Sequence, residues 1–398
     1  VVEGESDCHT LWHCGIPALG LPGASIWREE RDSVHLEGIS RILVVAEPDM
    51  GGETVLNWIS TSVIRDRVWI VSLGVFKDPS ALYISDPQGF RANWEEKVKS
   101  AFPWAEVEKI RRMQQRRALW EACKDLATSP DILGRLMEVM EQSGIAGERR
   151  LIKLIYLCLT SRMLPKIVSI VIKGPSSTGK SFLPEKVLEL FPESAYHRLT
   201  GMSERALAYS SEPLKNRFIV VFEAIGMEGT FQSYLIRSLL SEGCISYETV
   251  EKTPLGLRAR HIEREGPTGL LTTTTAGYLH PENETRLVSV AADDSSEQTK
   301  RILLEQARED LPVVDLAPWI ALQQWLEGEV HGVTIPYASY LAHYIPPVAV
   351  RLRRDFPTLL ALIKAHAILH QVNRGRNGDG EIIASNEDYA SVCALVRD

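Results

Sequence analysis

The eight residues from position 174 to position 181 constrain this chain more than any other feature. An apolar run, 167–172, precedes them, and a helix is predicted to follow from Phe182 to Phe191. That strand–loop–helix context is the one in which Gly-x-x-x-x-Gly-Lys-Ser/Thr binds phosphate. The residues are Gly174, Pro175, Ser176, Ser177, Thr178, Gly179, Lys180 and Ser181.

The residue types in this loop match the chemistry of a bound nucleoside triphosphate. Glycines allow backbone N–H groups to surround a polyanion. In such loops the lysine contacts the β- and γ-phosphates and the serine hydroxyl ligates Mg²⁺. We therefore predict that Lys180 and Ser181 have these roles, with ATP and Mg²⁺ as cofactors.

Two features downstream are candidates for a hydrolysis site. The apolar strand 217–223 ends at Glu223, which would polarise the attacking water or hold the magnesium ion's water; a solvated acid at a strand end is the alternative. A predicted strand at 269–275 ends in threonine hydroxyls that would position water near the γ-phosphate. Arg286 lies where ring-forming ATPases place an arginine that acts on the neighbouring subunit's nucleotide, and a surface charge is the alternative.

A basic segment, 248–265, lies between these two strands. The chain has a net charge of −8, so contact with nucleic acid must come from a local cluster. A hairpin in this segment would follow a DNA backbone, whereas a charged, exposed hairpin without a ligand is the alternative. The candidate DNA-binding residues are Lys252, Arg258, Arg260 and Arg264.

Acidic residues also occur where predicted strands end in the N-terminal part. Short apolar runs at 16–20, 41–46 and 67–73 predict a small α/β sheet. Carboxylates that meet at the carboxyl edge of a parallel sheet form an oxygen-rich Mg²⁺ site. Taken singly, each acid is also a common turn residue. The candidates are Glu3, Glu47, Asp49 and Asp78, with Glu3, Glu47 and Asp49 as metal ligands.

The order of these acids resembles the Toprim domain of bacterial primases, topoisomerases and related nucleases. Residues 15–23 also look like the second strand and loop of the primase-type members. Glu47 stands where the family has an aspartate. The matching elements are Glu3-Gly4 with Asp7, Glu47-Pro48-Asp49 followed by Gly51-Gly52, and Asp78-Pro79. The resemblance implies that Glu3, Glu47, Asp49 and Asp78 are catalytic.

The chain as a whole resembles the primase–helicases of phages and mobile elements. The resemblance rests on the Toprim-like acids, the phosphate loop and the element 282–286, and covers nearly the whole length. It implies an α/β protein with four parts: a Toprim metal-binding domain at 1–88, a helical connector at 89–165, a P-loop ATPase domain of the helicase kind at 166–315, and a C-terminal helical domain at 316–398. Several domains are expected at this length.

The same resemblance implies single-stranded DNA as partner and a homo-oligomeric ring. No apolar stretch is long enough to span a membrane and no signal peptide is recognisable, so we expect a location in the cytoplasm of a prokaryotic or phage-infected cell. Six scattered cysteines without a C-x-x-C pair argue against a zinc ribbon and a disulfide scaffold. The chain begins Val1-Val2 without methionine, and we expect an upstream part.

Three functions remain open at this point. The favoured one is a DNA replication primase–helicase, in which ATP hydrolysis drives movement along DNA and the Toprim-like part makes primers. A Toprim nuclease coupled to an ATPase, in repair or phage defence, is the first alternative. The second is a DNA-binding regulator that uses ATP as a switch and has an inactive Toprim-like part.

Overall fold

The computed structural model of the chain describes residues 1–223, 230–254, 256–275, 281–308, 310 and 312–397. The protein is mixed α/β and divides into two compact units, Val1–Arg117 and Ala118–Asp398. The predicted connector at 89–165 is shared between the two units. Among the described residues, no helix combines the length and the apolar character needed to cross a bilayer.

The first unit consists of short strands and helices that alternate along the chain. They are β1 (Val2–Glu3), α1 (Glu5–His13), β2 (Gly20–Leu21), α2 (Glu29–Asp32), β3 (Ile42–Val45), α3 (Met50–Thr61), β4 (Val68–Val71), α4 (Pro79–Ser85), α5 (Phe90–Lys99), β5 (Phe102–Pro103) and α6 (Trp104–Ala127), the last of which continues into the second unit.

The strands of the first unit place three carboxyl ends at one edge. β1 pairs with β2 in parallel and β3 pairs with β4 in parallel, while β5 is antiparallel to β4. The Val45 N–H donates to the Val1 carbonyl over 3.0 Å and the Val1 nitrogen donates to the Leu43 carbonyl, which is the pattern of a parallel pair. The chain segments that leave β1, β3 and β4 therefore begin at the same edge.

Two strand predictions for this unit need correction. A strand was expected over 16–20, but β2 is only Gly20–Leu21, because Pro17 has no N–H to donate to a ladder. A helical connector is expected over 89–165, but within it the short strand β5 separates α5 from α6. Pro103 disfavours a helix interior, and Phe102 pairs with Ile70 of β4 instead.

The strands β3 and β4 are buried on both faces. Ile42 and Val44 pack with α3 and Trp104 on one side, and Val45 packs with α1, α4 and α5 on the other. β4 alternates in the same way, with Val68 and Ile70 on the first side and Val71 on the second. This alternation is the two-residue period of a strand inside a layered α/β unit.

The second unit is larger and contains the main sheet. Its elements are α7 (Ile132–Gln142), α8 (Arg149–Thr160), β6 (Ser169–Lys173), α9 (Phe182–Leu188), β7 (Tyr196–Leu199), α10 (Ala206–Tyr209), β8 (Arg217–Val221), α11 (Thr230–Glu242), β9 (Cys244–Thr253), β10 (Gly256–Glu265), β11 (Thr268–Thr274), α12 (Pro281–Glu284), β12 (Leu287–Ala291), α13 (Ser296–Gln306), α14 (Ala317–Glu327), β13 (Val333–Thr334), α15 (Ala338–Tyr344), α16 (Leu352–Leu369), β14 (Ile382–Ile383) and α17 (Asn386–Val396).

Five parallel strands form the main sheet in the order β12-β6-β11-β8-β7. The chain moves from β6 to the far edge at β7, returns through β8 and β11, and then passes β6 to reach β12. The connections after β6 and β11 therefore leave these neighbouring strands in opposite directions. In open α/β sheets such a change of direction, at the carboxyl ends of the strands, is where ligands bind.

Helices cover both faces of this sheet. Ile170, Ile172 and Val220 face a core formed by α7, α8, α14, α16 and α17, whereas Val171 and Ile219 face α10 and α11. The C-terminal residues belong to the first of these cores. They are mainly helical, as predicted, and also contain the short parallel pair β13–β14.

A buried ionic network joins α16 to α17 within this core. Asp388 accepts hydrogen bonds from His366 Nδ1 at 2.6 Å and from Arg374 Nη2 at 2.7 Å. It also accepts one from the Ser385 backbone N–H at 2.7 Å, which caps the start of α17. His370 stacks on His366 with ring centroids 4.3 Å apart. Asp388, His366 and His370 have the spacing of a metal site. Since Arg374 already binds the Asp388 carboxylate, we interpret these three residues as part of a structural ion network and not as a metal site.

We predict that protonation of His370 destabilises the folded chain. Burial, with His366 adding to it, lowers the pKa of His370 to about 4, and its Nε2 accepts a hydrogen bond from the Ile132 N–H that a protonated ring would lose. The unfolded ring titrates at about 6.5, so the unfolded state binds the proton first as pH falls. Stability should be fully present above about pH 6.5 and decrease by about 3 kcal/mol towards pH 4.

Thermal melts between these pH values would measure this dependence. His370→Gln is the matched variant, because it retains a polar side chain and cannot titrate. We expect its melting temperature to vary less with pH than that of the unmodified chain over this window. Equal pH dependence of the melting temperature in both proteins would contradict the role of His370 in the loss of stability.

Candidate functional site

The predicted phosphate loop, residues 174–181, begins directly after β6 at the carboxyl edge of the main sheet. Ser177 and Gly179 have φ values of 69° and 79°, so left-handed residues alternate with others along the loop. Such alternation turns successive N–H groups towards one side and forms a concavity that binds anions. A side chain at Gly179 would meet no atom within 4 Å, so conformation, and not space, favours glycine there.

Lys180 is a buried cation in this loop. Only 7% of it is exposed, and its ammonium group donates to the Pro175 carbonyl. The Thr178 hydroxyl donates to the same carbonyl over 2.9 Å. Among the described residues, no carboxylate forms an ion pair with Lys180. A buried ammonium without a counter-charge is costly, and an anionic ligand in the loop would supply that charge.

Hydrogen bonds tie the ends of the three central strands together at this edge. The Gly174 N–H donates to the Thr274 carbonyl over 3.3 Å, which joins the loop to the end of β11. The Glu223 N–H donates to the Thr273 hydroxyl over 3.0 Å, which joins the segment after β8 to β11. Glu223 therefore lies at the same edge as Lys180, as the sequence predicted.

Glu223 has an unusual backbone conformation. Its φ is 72°, a left-handed value that non-glycine residues rarely adopt and that costs free energy where it occurs. Its side chain is exposed. The strain is consistent with a carboxylate that is held at a fixed place at the strand end. Thr272 and Thr273, expected to position water, instead hydrogen-bond to the residues at and after the end of β8.

A cavity of about 260 Å³ adjoins the phosphate loop. Its lining includes Ser177–Gly179 of the loop, the half-exposed Phe182, and Gln298 and Ile302 of α13. Residues 144–146 also line it. The cavity is too small for a complete nucleotide and has mixed polar and apolar walls, which suits a nucleoside base next to the phosphates.

Arg286 lies far from the phosphate loop of its own chain. The next residue, Leu287, pairs with Ser169 at the start of β6, whereas the loop follows Lys173 at the other end of that strand. Ser169 and Lys173 are four residues apart along β6, which corresponds to about 13 Å. Nε of Arg286 donates to the Ser241 hydroxyl over 2.5 Å. The sequence assigned Arg286 to the nucleotide of a neighbouring subunit, and within one chain the structure places it away from the phosphate loop.

Arg286 belongs to a cluster of positive charges. Burial lowers the pKa of its guanidinium, and Arg354 and Arg237 lower it further. Glu282 offsets part of this positive charge. Its carboxylate forms an ion pair with Arg237, and its backbone carbonyl accepts a hydrogen bond from Arg286. The excess of positive charge would attract an anion.

The predicted basic hairpin is present as β9 and β10. Lys252 pairs with Leu257, and Arg258 pairs with Glu251. Because directly paired residues share a face and neighbours alternate, Lys252 lies on the opposite face from Arg258 and Arg260. Arg260 forms an ion pair with Glu251 at 2.8 Å, and Arg264 donates to the Glu212 carbonyl. The four candidates therefore do not form one continuous basic face.

Two of the four predicted acids of the first unit, Glu47 and Asp78, meet Asp7 at the shared carboxyl edge, whereas the predicted ligands Glu3 and Asp49 lie beside this group. Oxygen atoms of Asp7, Glu47 and Asp78 all lie within 4.8 Å of one another. Asp78 also caps α4 by accepting from the Ala81 N–H at 2.7 Å. Asp49 caps α3 by accepting from the Gly51 N–H at 2.9 Å. The carboxylates thus come from the segments after β1, β3 and β4.

Glu3 is adjacent to the Asp49 side of this group. One of its oxygens accepts from the Ala24 N–H at 3.2 Å, and the other is buried with no hydrogen bond from any described residue. A Cβ built at Gly51 would lie 2.8 Å from both Glu3 oxygens, and one at Gly52 would lie 1.8 Å from the Glu47 carbonyl oxygen. Gly52 is needed for this close approach to the Glu47 backbone, and Gly51 leaves room for the Glu3 carboxylate.

Two residues without a role predicted from the sequence, Lys77 and Asp7, complete the group. Lys77 pairs with Glu47 at 3.2 Å and with Asp49 at 3.3 Å. Asp7 is 4% exposed and accepts from the Ser80 hydroxyl at 2.7 Å. Asp7 was noted only as part of the Toprim resemblance, and the position of Lys77 directly before Asp78 was the available signal for its contact with the acids.

Burial, more than the neighbouring negative charges, raises the pKa values of two of these carboxyls. Burial raises the pKa of Glu47, with Glu3 and Asp49 adding to the shift and Lys77 opposing it. Burial also raises the pKa of Asp7, opposed by Ser80. A divalent cation would stabilise the charged forms of both groups. The all-oxygen donor set and the unpaired Glu3 oxygen fit Mg²⁺.

Comparison with models of known protein families finds no match for this chain. Comparison with curated proteins finds no match either.

We predict that Glu47→Gln weakens Mg²⁺ binding to the first unit at least about tenfold, because it removes a ligand charge from the group. Asp49→Asn should have a similar effect. Isothermal titration of the full chain with MgCl₂, without nucleotide, would measure it. ATP turnover should be unchanged, since Lys180 and Glu223 lie on the sheet of the other unit.

A matched control is Glu95→Gln, which removes one exposed carboxylate from α5 of the same unit. It should leave the affinity for Mg²⁺ unchanged. Unchanged affinity in both Glu47→Gln and Asp49→Asn would indicate that these acids are structural turn and capping residues.

Proposed function

We propose that this chain is an ATP-hydrolysing DNA motor of the primase–helicase kind, with a Mg²⁺-binding module in its first unit. The observation that carries the proposal is Lys180. It is a buried ammonium in a loop whose N–H groups are turned to one side, at the carboxyl edge of a parallel sheet, and no described carboxylate pairs with it.

The residues at this edge suit the hydrolysis of a bound triphosphate. Lys180 would contact the phosphates, and the Ser181 hydroxyl would ligate the accompanying Mg²⁺, which neutralises negative charge on the phosphate oxygens. Glu223, held by the Thr273 hydroxyl, would orient and polarise the attacking water. The adjoining cavity would hold the base.

The position of Arg286 supports an oligomer. At the opposite end of β6 from its own loop, Arg286 lacks access to the nucleotide of its own chain. A guanidinium that meets a neighbouring subunit's nucleotide would explain both its place and the positive cluster around it. A closed ring would present one such arginine at every nucleotide.

The acid group of the first unit supports a separate Mg²⁺-dependent chemistry. Asp7, Glu47 and Asp78 would hold the ion, with Glu3 and Asp49 beside them. The ion would supply charge neutralisation at a phosphodiester or triphosphate. Lys77 would have to release Glu47 when the ion binds. Primer synthesis and phosphodiester cleavage are both compatible with this arrangement.

Strand displacement would test the proposal. The full chain should separate a labelled, forked DNA duplex when ATP and Mg²⁺ are present, and should not do so with a non-hydrolysable ATP analogue. Cleavage of the same DNA without displacement would favour the nuclease coupled to an ATPase. ATP binding with neither displacement nor cleavage would favour the ATP-switched regulator.

A further inference from the structure

The central part of α6 carries the densest positive charge in the sequence. The nine residues 109–117 contain five cations and no acid, in a chain whose net charge is −8. In the structure, every one of these residues except Arg111 is exposed. Such a segment produces a local positive potential that the acidic remainder of the chain does not.

One of the five cations has a structural role. Arg111 contacts Glu53 at 3.2 Å and Asn57 at 2.9 Å, both on α3. It therefore helps to fix α6 on the first unit. Because α6 is held by this side, the opposite side of the helix remains exposed to solvent.

The other cations share that opposite side. Lys109, Arg112 and Arg116 are spaced three and four residues apart, so they form a stripe along the helix, with Arg117 next to it. The stripe spans two helical turns, about 10 Å. Arg112 pairs with Glu108 at 2.7 Å but is still 76% exposed. We call Lys109, Arg112, Arg116 and Arg117 the α6 basic stripe.

We propose that the α6 basic stripe binds the phosphate backbone of nucleic acid. This inference rests on the DNA partner of the proposed function, and it assigns the main contact to a different surface from the β9–β10 hairpin. The hairpin 244–265 has four acids and four Lys or Arg residues, and Glu251 already pairs with Arg260. The formal charge of the hairpin is therefore zero, whereas residues 109–117 contain five cations and no acid.

A lipid surface fits the stripe less well. A helix that binds in the plane of a membrane needs a broad apolar face beside its cations, and residues 109–117 offer only Ile110 and Met113. A rigid row of cations with little apolar surface suits regularly spaced phosphates, because each neutralised phosphate releases counterions.

Fluorescence anisotropy of the full chain with labelled oligo(dT) would test the inference. The variant R112Q/R116Q/R117Q should bind at least about tenfold more weakly, and the slope of log affinity against log salt should decrease by about 2. The variant R112K/R116K/R117K, which keeps the charge, should retain binding. ATP turnover without DNA should be unchanged in both.

A hairpin variant, K252Q/R258Q/R260Q, is the matched control because it removes the same number of charges. The inference is overturned if the hairpin variant loses binding while the glutamine variant of α6 keeps it, and the DNA role then stands without the stripe. Absence of oligo(dT) binding by the unmodified chain would overturn both the stripe as a binding surface and DNA as a partner of the chain. Binding of an acidic peptide or anionic vesicles in place of oligo(dT) would also overturn the inference.

Discussion

Arg286→Ala is expected to bind ATP normally and to hydrolyse it about 10³–10⁵-fold more slowly than the unmodified chain. The phosphate loop of the variant is intact, so binding is retained. The loss arises because the transition-state charge on a neighbouring subunit's nucleotide is no longer neutralised. The position of Arg286 at the start of β12, away from its own loop, is the reason to expect action between subunits.

Mixing variants distinguishes action between subunits from action within one. Lys180→Ala lacks the loop cation and Arg286→Ala lacks the guanidinium, so a mixed ring contains some interfaces with both groups intact. We expect the mixture to recover part of the turnover that neither variant shows alone. The control Arg301→Ala, which removes a charge from α13, should turn over ATP normally. An inactive Arg286→Ala without recovery on mixing would contradict the ring.

Lys180→Ala is expected to lower ATP turnover by about 10³-fold or more, because no other cation lies in the loop to contact the β- and γ-phosphates. The folded state should not suffer, since the substitution removes a buried charge that no described carboxylate balances. Steady-state phosphate release measures the effect, and a thermal melt verifies the fold.

Lys186→Ala is the control for Lys180→Ala. It removes the same charge from the next helix, where Lys186 pairs with Glu189 at 2.9 Å on the surface. It should hydrolyse ATP at close to the normal rate. Similar losses in the two variants would mean that general charge, and not the loop lysine, determines turnover.

The central strands of both units were predictable because they are apolar on both faces. The runs at 41–46, 67–73, 167–172 and 217–223 correspond to β3, β4, β6 and β8 within a few residues. Strands that bury little apolar surface could not be predicted from the sequence. β7 contains His197 and Arg198 among its four residues, and its pairing with β8 depends on the sheet and not on local pattern.

The order of strands in the main sheet could not be derived from the sequence. Hydrophobic periodicity predicts that a segment is a strand, but not which strand lies beside it. The position of β12 next to β6 decides where Arg286 lies, so the distance of that arginine from its own loop became apparent only in the structure. The ion pairs of Lys77 depended in the same way on long-range folding.

The loop and the acids of the first unit were predictable for different reasons. The loop is a continuous motif whose residue types follow from phosphate chemistry. The acids are separated by up to 75 positions in the sequence, and only their order and the resemblance connected them. Asp7 is close to Asp78 because α1 packs on α4, a contact that no local pattern records.

ATP turnover by the full chain, with and without single-stranded DNA, is the decisive measurement for the proposed motor. We expect Mg²⁺-dependent hydrolysis that DNA stimulates and that Lys180→Ala reduces to background in both conditions. Hydrolysis that persists in Lys180→Ala would contradict the assignment of the phosphate loop. ATP that is bound but not hydrolysed by the unmodified chain, in the presence of DNA, would contradict the motor.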